Sequence, residues 1–185
     1  MEKAPELIPE RSVKMNIKAI ALIPFSSENE IPPGKKGFLT SALHNEILSK
    51  IKKVSIISLD NSISEFEDVE KKNPGLTYEE AAIKAGKNLG ADAVLIGNIF
   101  VYKEREGAEL SIVSPASVAF GVQLINTANG GVIWETYFTE TQKPLLENVA
   151  EIGKFIKRKG RWVTADEIAK EGVQEVVDKL SKFLG

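Results

Sequence analysis

The residues most suggestive of a functional site form a basic segment close to the carboxyl terminus. Lysines and arginines recur through residues 154–161, and a tryptophan follows directly. We assign a partner-binding role to Lys154, Lys157, Arg158, Arg161 and Trp162. Arginine and tryptophan are enriched at binding hot spots, so the pattern predicts a surface for a protein partner or an anionic surface. The same cations could instead complement the dipole at a helix end, with Trp162 packed beneath the following helix.

The residues that enzymes use for acid–base and nucleophilic chemistry are scarce. The chain has no cysteine, which excludes disulfides, thiolate zinc sites and thiol nucleophiles. His44 is the only imidazole that could activate a hydroxyl nucleophile, and it falls inside a predicted helix beside apolar positions. Glu135 and Glu140 are an odd number of positions apart on a predicted strand, so they point to opposite faces. The sequence therefore predicts no catalytic, cofactor-binding or metal-binding residues and no enzyme activity.

Two short motifs resemble known binding loops without completing them. Residues 34–37 read Gly-Lys-Lys-Gly before a helix, but Phe38 stands where a phosphate-binding loop needs Lys followed by Ser or Thr. A flexible loop with solvated lysines is the favoured interpretation, and a loose anion site at the helix start remains open. Residues 60–64 resemble the start of a calcium loop, but Glu65 and Lys71 occupy the positions that need Gly and a bidentate Glu. A polar turn is therefore favoured there.

The elements that must position these residues follow a regular alternation. Apolar runs predict strands, apolar stripes at helical spacing predict helices, and Asn129-Gly130 predicts a tight hairpin turn. Capping boxes at Thr77/Glu80 and Thr164/Glu167 predict two helix starts. Strands are predicted near 17–25, 54–59, 91–102, 117–126 and 132–140, with helices near 38–50, 77–89, 144–156 and 164–184. The segment 60–74 reads as acidic and turn-rich, with at most one helical turn.

This pattern predicts the α/β class: a single domain with a mixed parallel and antiparallel sheet, helices packed on it, and the order β-α-β-α-β-β-β-α-α. The chain has 185 residues, a length typical of one domain. We expect residues 1–16, which contain two prolines, to be a flexible tether, and 17–185 to be the domain. With 24 Lys and Arg against 26 Asp and Glu, the net charge of −2 argues against nucleic-acid binding as a general role.

Four pieces of the chain resemble a known family, and the last of them is an amphipathic helix that closes the domain. Residues 20–25 read IALIPF, residues 90–99 read GADAVLIGNI, and the hairpin at 124–134 reads LINTANGGVIW. Together they resemble bacterial envelope lipoproteins with a CsgG-like or TolB-amino-terminal-like α/β domain, a group that includes penicillin-binding-protein activators. The resemblance covers about residues 17–140.

The resemblance implies a non-catalytic periplasmic domain that binds a protein partner in envelope assembly or secretion. It further implies an outer-membrane lipid anchor, with the signal peptide and the lipidated cysteine lying outside this sequence. We expect this chain to differ from the family in three ways: no propeller after the domain, no pair of long membrane-spanning hairpins, and a turn at 126–130 that keeps the geometry but not the residues. Two other hypotheses stay open. One is a cytoplasmic protein that binds a small ligand or nucleotide, or an enzyme that uses residues 26–37; the other is a ring-forming structural component.

Overall fold

A five-stranded mixed sheet forms the centre of the fold in the computed structural model, which describes residues 17–108, 111–142 and 163–185. The strand order is β2-β1-β3-β6-β7; β1 pairs in parallel with β2 and β3, and β6 pairs antiparallel with β3 and β7. A separate hairpin pairs β4 with β5. The strands are β1 (Ala19–Leu22), β2 (Ser55–Ile56), β3 (Ala93–Lys103), β4 (Glu106–Ala108), β5 (Ser111–Ser114), β6 (Ser117–Asn126) and β7 (Val132–Thr141). The predicted mixed α/β class is confirmed.

Helices cover the two faces of the sheet unequally. The helices are α1 (Lys35–Lys50), α2 (Leu59–Lys72), α3 (Tyr78–Asn88) and α4 (Ala165–Leu184). Helices α1 and α4 bury apolar stripes against one face, where the largest core cluster lies. Helices α2 and α3 form a smaller cluster on the other face, with Ala21, Ile23, Val94, Ile96 and Ile125. The result is three layers, with part of the second sheet face uncovered by these four helices.

Helix α2 replaces the turn-rich segment that the sequence predicts. Ser58 caps the helix by accepting from the Asn61 backbone N–H at 3.3 Å. Ser62, Phe66 and Val69 are buried along one stripe, and acidic side chains occupy much of the opposite face. Tertiary burial of this narrow stripe outweighs the turn preference of Asp, Asn and Ser. The β4–β5 hairpin is likewise new within the predicted connection 103–116, whereas the predicted helix 144–156 lies outside the described residues.

Local signals predict the starts of α3 and α4 correctly, whereas α1 begins at Lys35 and not near residue 38 as predicted. Both capping boxes form: Glu80 accepts from the Thr77 backbone N–H at 2.8 Å, and Glu167 accepts from that of Thr164 at 3.0 Å. Gly130 takes the positive φ of 72° that the predicted hairpin turn requires. These contacts are short-range, which is why the sequence predicts them.

One predicted strand face needs correction. The sequence places Val132 on the same face as Trp134, but Val132 packs against the smaller cluster beneath α2 and α3. The β6–β7 register shifts between Leu124 and Ile125, so Ile133 and Trp134 both reach the larger core. Trp134 is buried as predicted and stacks on Phe183 at 6.3 Å between ring centroids. A β-bulge interrupts the alternation of side chains along a strand. A prediction that assumes regular alternation therefore assigns Val132 to the wrong face.

Candidate functional site

The five residues assigned to partner binding lie outside the described residues. Lys154, Lys157, Arg158, Arg161 and Trp162 all fall within the interval 143–162. Their assignment stays a prediction.

The other sequence candidates take up structural positions. Residues 60–64 lie within α2 and form no loop that could encircle calcium. His44 lies on α1, where burial lowers its pKa, opposed by a hydrogen bond with Asn45 and the charge of Asp60. Along β7 the side chains alternate, so Glu135 shares a face with Tyr137 whereas Glu140 shares the opposite face with Phe138, as predicted.

The Gly-Lys-Lys-Gly segment forms the start of α1 and supplies an ion pair. Gly34 adopts a φ of 81° immediately before the helix. The Lys35 ammonium lies 2.6 Å from an Asp166 carboxylate oxygen and 3.6 Å from a Glu104 oxygen. Tyr102 donates its hydroxyl to the same Asp166 oxygen. Because two carboxylates already neutralise Lys35, this lysine serves to join α1 to α4 and β3 and is poorly placed to bind an external anion.

The Asp166 carboxylate provides a test of this ion-pair network. Burial opposes ionisation of Asp166, but hydrogen bonds from Lys35 and Tyr102 outweigh burial and lower the pKa of the carboxyl. A lowered pKa stabilises the fold above the unfolded value of about 3.9, and this contribution is lost as the pH falls through the folded value. Since the side chain is 38% exposed, solvent screening limits the contribution to about 1 kcal/mol or less.

We therefore expect Asp166→Asn to destabilise the protein at neutral pH and to approach the wild type as the pH falls below about 3.9. Urea midpoints at neutral and acidic pH measure both effects. The control is Asp68→Asn, which breaks an exposed i,i+4 pair with Lys72 and should change stability at neutral pH by less than about 0.5 kcal/mol. A deficit in Asp166→Asn that stays constant with pH would contradict the role assigned to this carboxylate.

The feature most suited to binding lies on the sheet face beyond α2 and α3. Here the floor of β3 and β6, the loop after β1 and the start of α3 enclose an open cleft of about 660 Å³. We call it the open cleft. Its lining residues are Ser26, Ser27, Glu28, Thr77, Tyr78, Glu79, Ile96, Gly97, Asn98, Phe100, Gly121, Gln123 and Tyr137.

Two aromatic rings form one wall of the open cleft. Phe100 and Tyr137 stack with centroids 6.2 Å apart and planes at 28°. Gly121 lies beneath them, and a Cβ there would come within 2.8 Å of the Tyr137 ring and 3.2 Å of the Phe100 ring. The two side chains nevertheless stay 38% and 45% exposed, more than any other aromatic side chain in the described part of the chain. The missing side chain at Gly121 therefore lets two aromatic rings lie flat on the sheet and face solvent.

A β-bulge in β3 includes Phe100. Ile99 pairs with Phe120 and Val101 pairs with Ala119, which leaves Phe100 as the extra residue of β3. Asn29 donates its side-chain amide to the Phe100 carbonyl at 2.8 Å and so holds the bulged backbone against the loop after β1. Asn98 and Phe100 alternate onto the cleft face, and the bulge shifts the alternation after Phe100, so Tyr102 returns to the main core.

Polar groups surround the rings. Gln123 donates to Glu135 at 3.0 Å, and burial, followed by the adjacent Glu135 carboxylate, raises the pKa of Tyr137. Tyr78 donates its hydroxyl to the Pro24 carbonyl, and burial raises the pKa of Tyr78 as well. Both tyrosines therefore stay neutral hydroxyls at physiological pH and can act as hydrogen-bond partners.

The sequence contains part of this site. The alternation of β6 predicts that Gly121 and Gln123 face away from the main core, as they do. Alternation places Tyr137 on the face of β7 opposite Phe138, but it does not predict that the ring stays exposed or that Phe100 stacks on it. The available signal is the position of Gly121 opposite an aromatic residue on the next strand.

Comparison with known proteins relates the fold to solved structures. No protein-family model and no curated protein matches the chain. The PelC dodecamer from Paraburkholderia phytofirmans aligns with a TM-score of 0.56 at 16% identity, covering 89% of this chain and 87% of that chain. The hypothetical protein CT253 from Chlamydia trachomatis aligns at 0.54 and 13% identity, covering 90% and 97%. Lipoprotein GNA1162 from Neisseria meningitidis aligns at 0.49 and 17% identity, covering 77% and 94%. The chain therefore shares its α/β fold with PelC and with the CT253 protein.

Proposed function

We propose that this chain is a non-catalytic module of the bacterial cell envelope that binds protein in envelope assembly or secretion. The observation that carries the proposal is the open cleft, where two aromatic rings remain exposed on the part of the sheet face that α2 and α3 leave uncovered. Aromatic residues are enriched at protein interfaces, because they supply a large contact area at a low cost in side-chain entropy.

Self-association is part of the proposal. The structure of PelC, whose fold covers nearly the whole of this chain, is that of a dodecamer. Among the described residues β7 is a ten-residue strand at the margin of the sheet, which offers backbone groups to another chain. A homo-oligomer built on this fold agrees with both observations.

The envelope location rests on the resemblance of residues 20–25, 90–99 and 124–134 to CsgG-like and TolB-like lipoprotein domains. We propose a periplasmic protein held at the outer membrane by a lipid on a cysteine upstream of residue 1. None of the helices in the described ranges combines the length and apolar character needed to cross a bilayer.

The basic segment 154–161 with Trp162 is proposed as a second partner contact. Its support is compositional: Lys154, Lys157, Arg158, Arg161 and Trp162 combine the residue types that dominate binding hot spots. Arg158 and Arg161 are the two whose planar guanidinium groups suit bidentate contacts with carboxylates.

Chemical cross-linking in intact cells followed by affinity capture tests the proposal. We expect the wild-type chain to retain one or more envelope proteins, and Arg158→Glu/Arg161→Glu to retain them roughly tenfold less. The matched control is Lys71→Glu/Lys87→Glu, which makes the same charge change at the ends of α2 and α3. Equal capture by both double variants would show that the basic segment is merely solvated.

Two readouts from the same preparation test the remaining parts. Light scattering over a range of concentrations should detect assemblies, and a strictly monomeric species would contradict self-association. The intact mass of the native protein should include an acylated cysteine. An unmodified protein in the soluble fraction, with no captured partner, would instead favour a cytoplasmic ligand-binding protein or enzyme.

A further inference from the structure

We infer that the open cleft binds an arginine or lysine side chain presented by a peptide segment of the partner protein. This inference rests on the proposed protein-binding function and names the chemistry that the partner must carry. Its basis is the combination of carboxylates, exposed aromatic rings and polar floor within one cleft.

The charge of the cleft has one sign. Glu28 and Glu79 lie in its lining, and Glu135 contacts Gln123 and Tyr137 at its margin. Among the described residues the lining includes no lysine, arginine or histidine. Within the same ranges none of the three carboxylates forms an ion pair. Glu79 also stabilises the start of α3, because its negative charge interacts favourably with the helix dipole. Neither Glu28 nor Glu135 lies at the start of a helix. The cleft therefore attracts a cation and repels an anion.

The aromatic wall favours a particular kind of cation. The exposed ring faces of Phe100 and Tyr137 carry the negative side of the aromatic quadrupole. They are also broad enough for a flat group to stack on them. A guanidinium can stack on such a face while its N–H groups donate to a carboxylate beside the ring. A lysine can likewise lay its aliphatic stem on the ring while its ammonium donates to the carboxylate. Glu135, two residues before Tyr137 on the same face of β7, is placed to accept those donors.

The size and floor of the cleft fit a side chain on an extended segment. About 660 Å³ is far more space than one guanidinium fills, so neighbouring peptide backbone also fits. Asn98 and Gln123 on the floor supply amide groups that can bind peptide N–H and C=O groups. A bare metal ion fits poorly, because no group of three acidic or histidine side chains within the described ranges converges as metal binding requires.

A nuclear magnetic resonance titration of the whole chain tests the inference. The probe is the peptide acetyl-Gly-Arg-Gly-amide, and its matched control carries citrulline, which has the shape of arginine without the charge. We expect the arginine peptide to shift the backbone amides of Phe100, Gly121 and Tyr137, and the citrulline peptide to bind at least about tenfold more weakly.

Variants assign the contacts. Glu135→Gln should weaken the arginine peptide about fivefold or more, and Tyr137→Ala about tenfold. Glu67→Gln on the exposed side of α2 and Thr139→Ala on β7 should leave binding unchanged. Retained chemical-shift dispersion and a normal melting temperature show that each variant is folded, and Glu135→Gln preserves side-chain volume should Tyr137→Ala unfold.

Equal binding of both peptides, shifts outside the open cleft, or no shift at the highest soluble concentration would each overturn the inference. If the arginine peptide also dissolves assemblies in light scattering, the occupant is a second copy of this chain and the assignment to a different protein is wrong. Partner capture is scored separately. Capture without peptide binding rejects only the ligand chemistry, whereas peptide binding without capture or assembly rejects the proposed function.

Discussion

The variant Phe120→Ala is expected to lose about 3–5 kcal/mol of unfolding free energy. Phe120 is completely buried on β6 and is among the largest buried side chains of the domain. Its ring meets Phe25 edge-on at 5.8 Å and Phe138 at 5.4 Å, on the sheet face where α1 and α4 pack. Removal of the ring leaves a cavity, because the packed rings around it can relax only in part. The loss therefore combines the transfer free energy of the buried ring with the free-energy cost of the cavity.

Urea unfolding followed by circular dichroism measures this loss as a lower midpoint at an unchanged slope. Phe100→Ala is the matched control, since it deletes the same ring from the solvent side of the sheet. The Phe100 side chain is 38% exposed, so its removal should cost less than about 1.5 kcal/mol. Equal losses in the two variants would contradict the assignment of Phe120 to the core and Phe100 to the open cleft.

The second large effect concerns the contact between α4 and β7. Gly172 lies within α4, where a Cβ would come within 2.5–2.7 Å of three Phe138 ring atoms. The Phe138 ring is itself buried against Phe120, which leaves it little room to move. Gly172→Ala gains about 1 kcal/mol of helix propensity, but overpacking outweighs this gain. We expect a net loss of about 1–2 kcal/mol.

The same substitution elsewhere should act with the opposite sign. Gly37 lies in the exposed first turn of α1, where an added Cβ would meet no atom of the described residues within 4 Å and φ is not positive. Gly37→Ala should therefore stabilise the protein by about 0.5–1 kcal/mol. Thermal and urea unfolding of the two variants side by side measure the difference. Stabilisation by both would mean that α4 can move away from Phe138 at no cost.

The local pattern of the sequence predicts most of the strands and helices of the fold. Residues 117–126 alternate so regularly that Val118, Phe120, Val122 and Leu124 all face the main core as predicted. The starts of α3 and α4 follow from capping boxes, and the β6–β7 turn follows from Asn129-Gly130. Each of these signals acts over a few residues, so it is readable without knowledge of the fold.

Features that depend on contacts between residues far apart in the sequence cannot be predicted from local patterns. Helix α2 is set by the burial of Phe66 and Val69 against a sheet face that exists only once β1 and β3 pair. Lys35 reads as a loop cation in the sequence, but its partner Asp166 lies 131 positions away. The contact exists because α1 and α4 share one face of the sheet.

The candidate site shows the division most clearly. Sequence alone determined that Gly121 and Gln123 face away from the main core, because strand side chains alternate. That Phe100 joins Tyr137 above Gly121 follows only from the packed structure, because the contact depends on the register of β3 with β6 and of β6 with β7. The packing also leaves the rings exposed, because neither ring belongs to the apolar cluster that α2 and α3 bury on that sheet face. Alternation is a property of one strand, whereas register and coverage are properties of the packed domain.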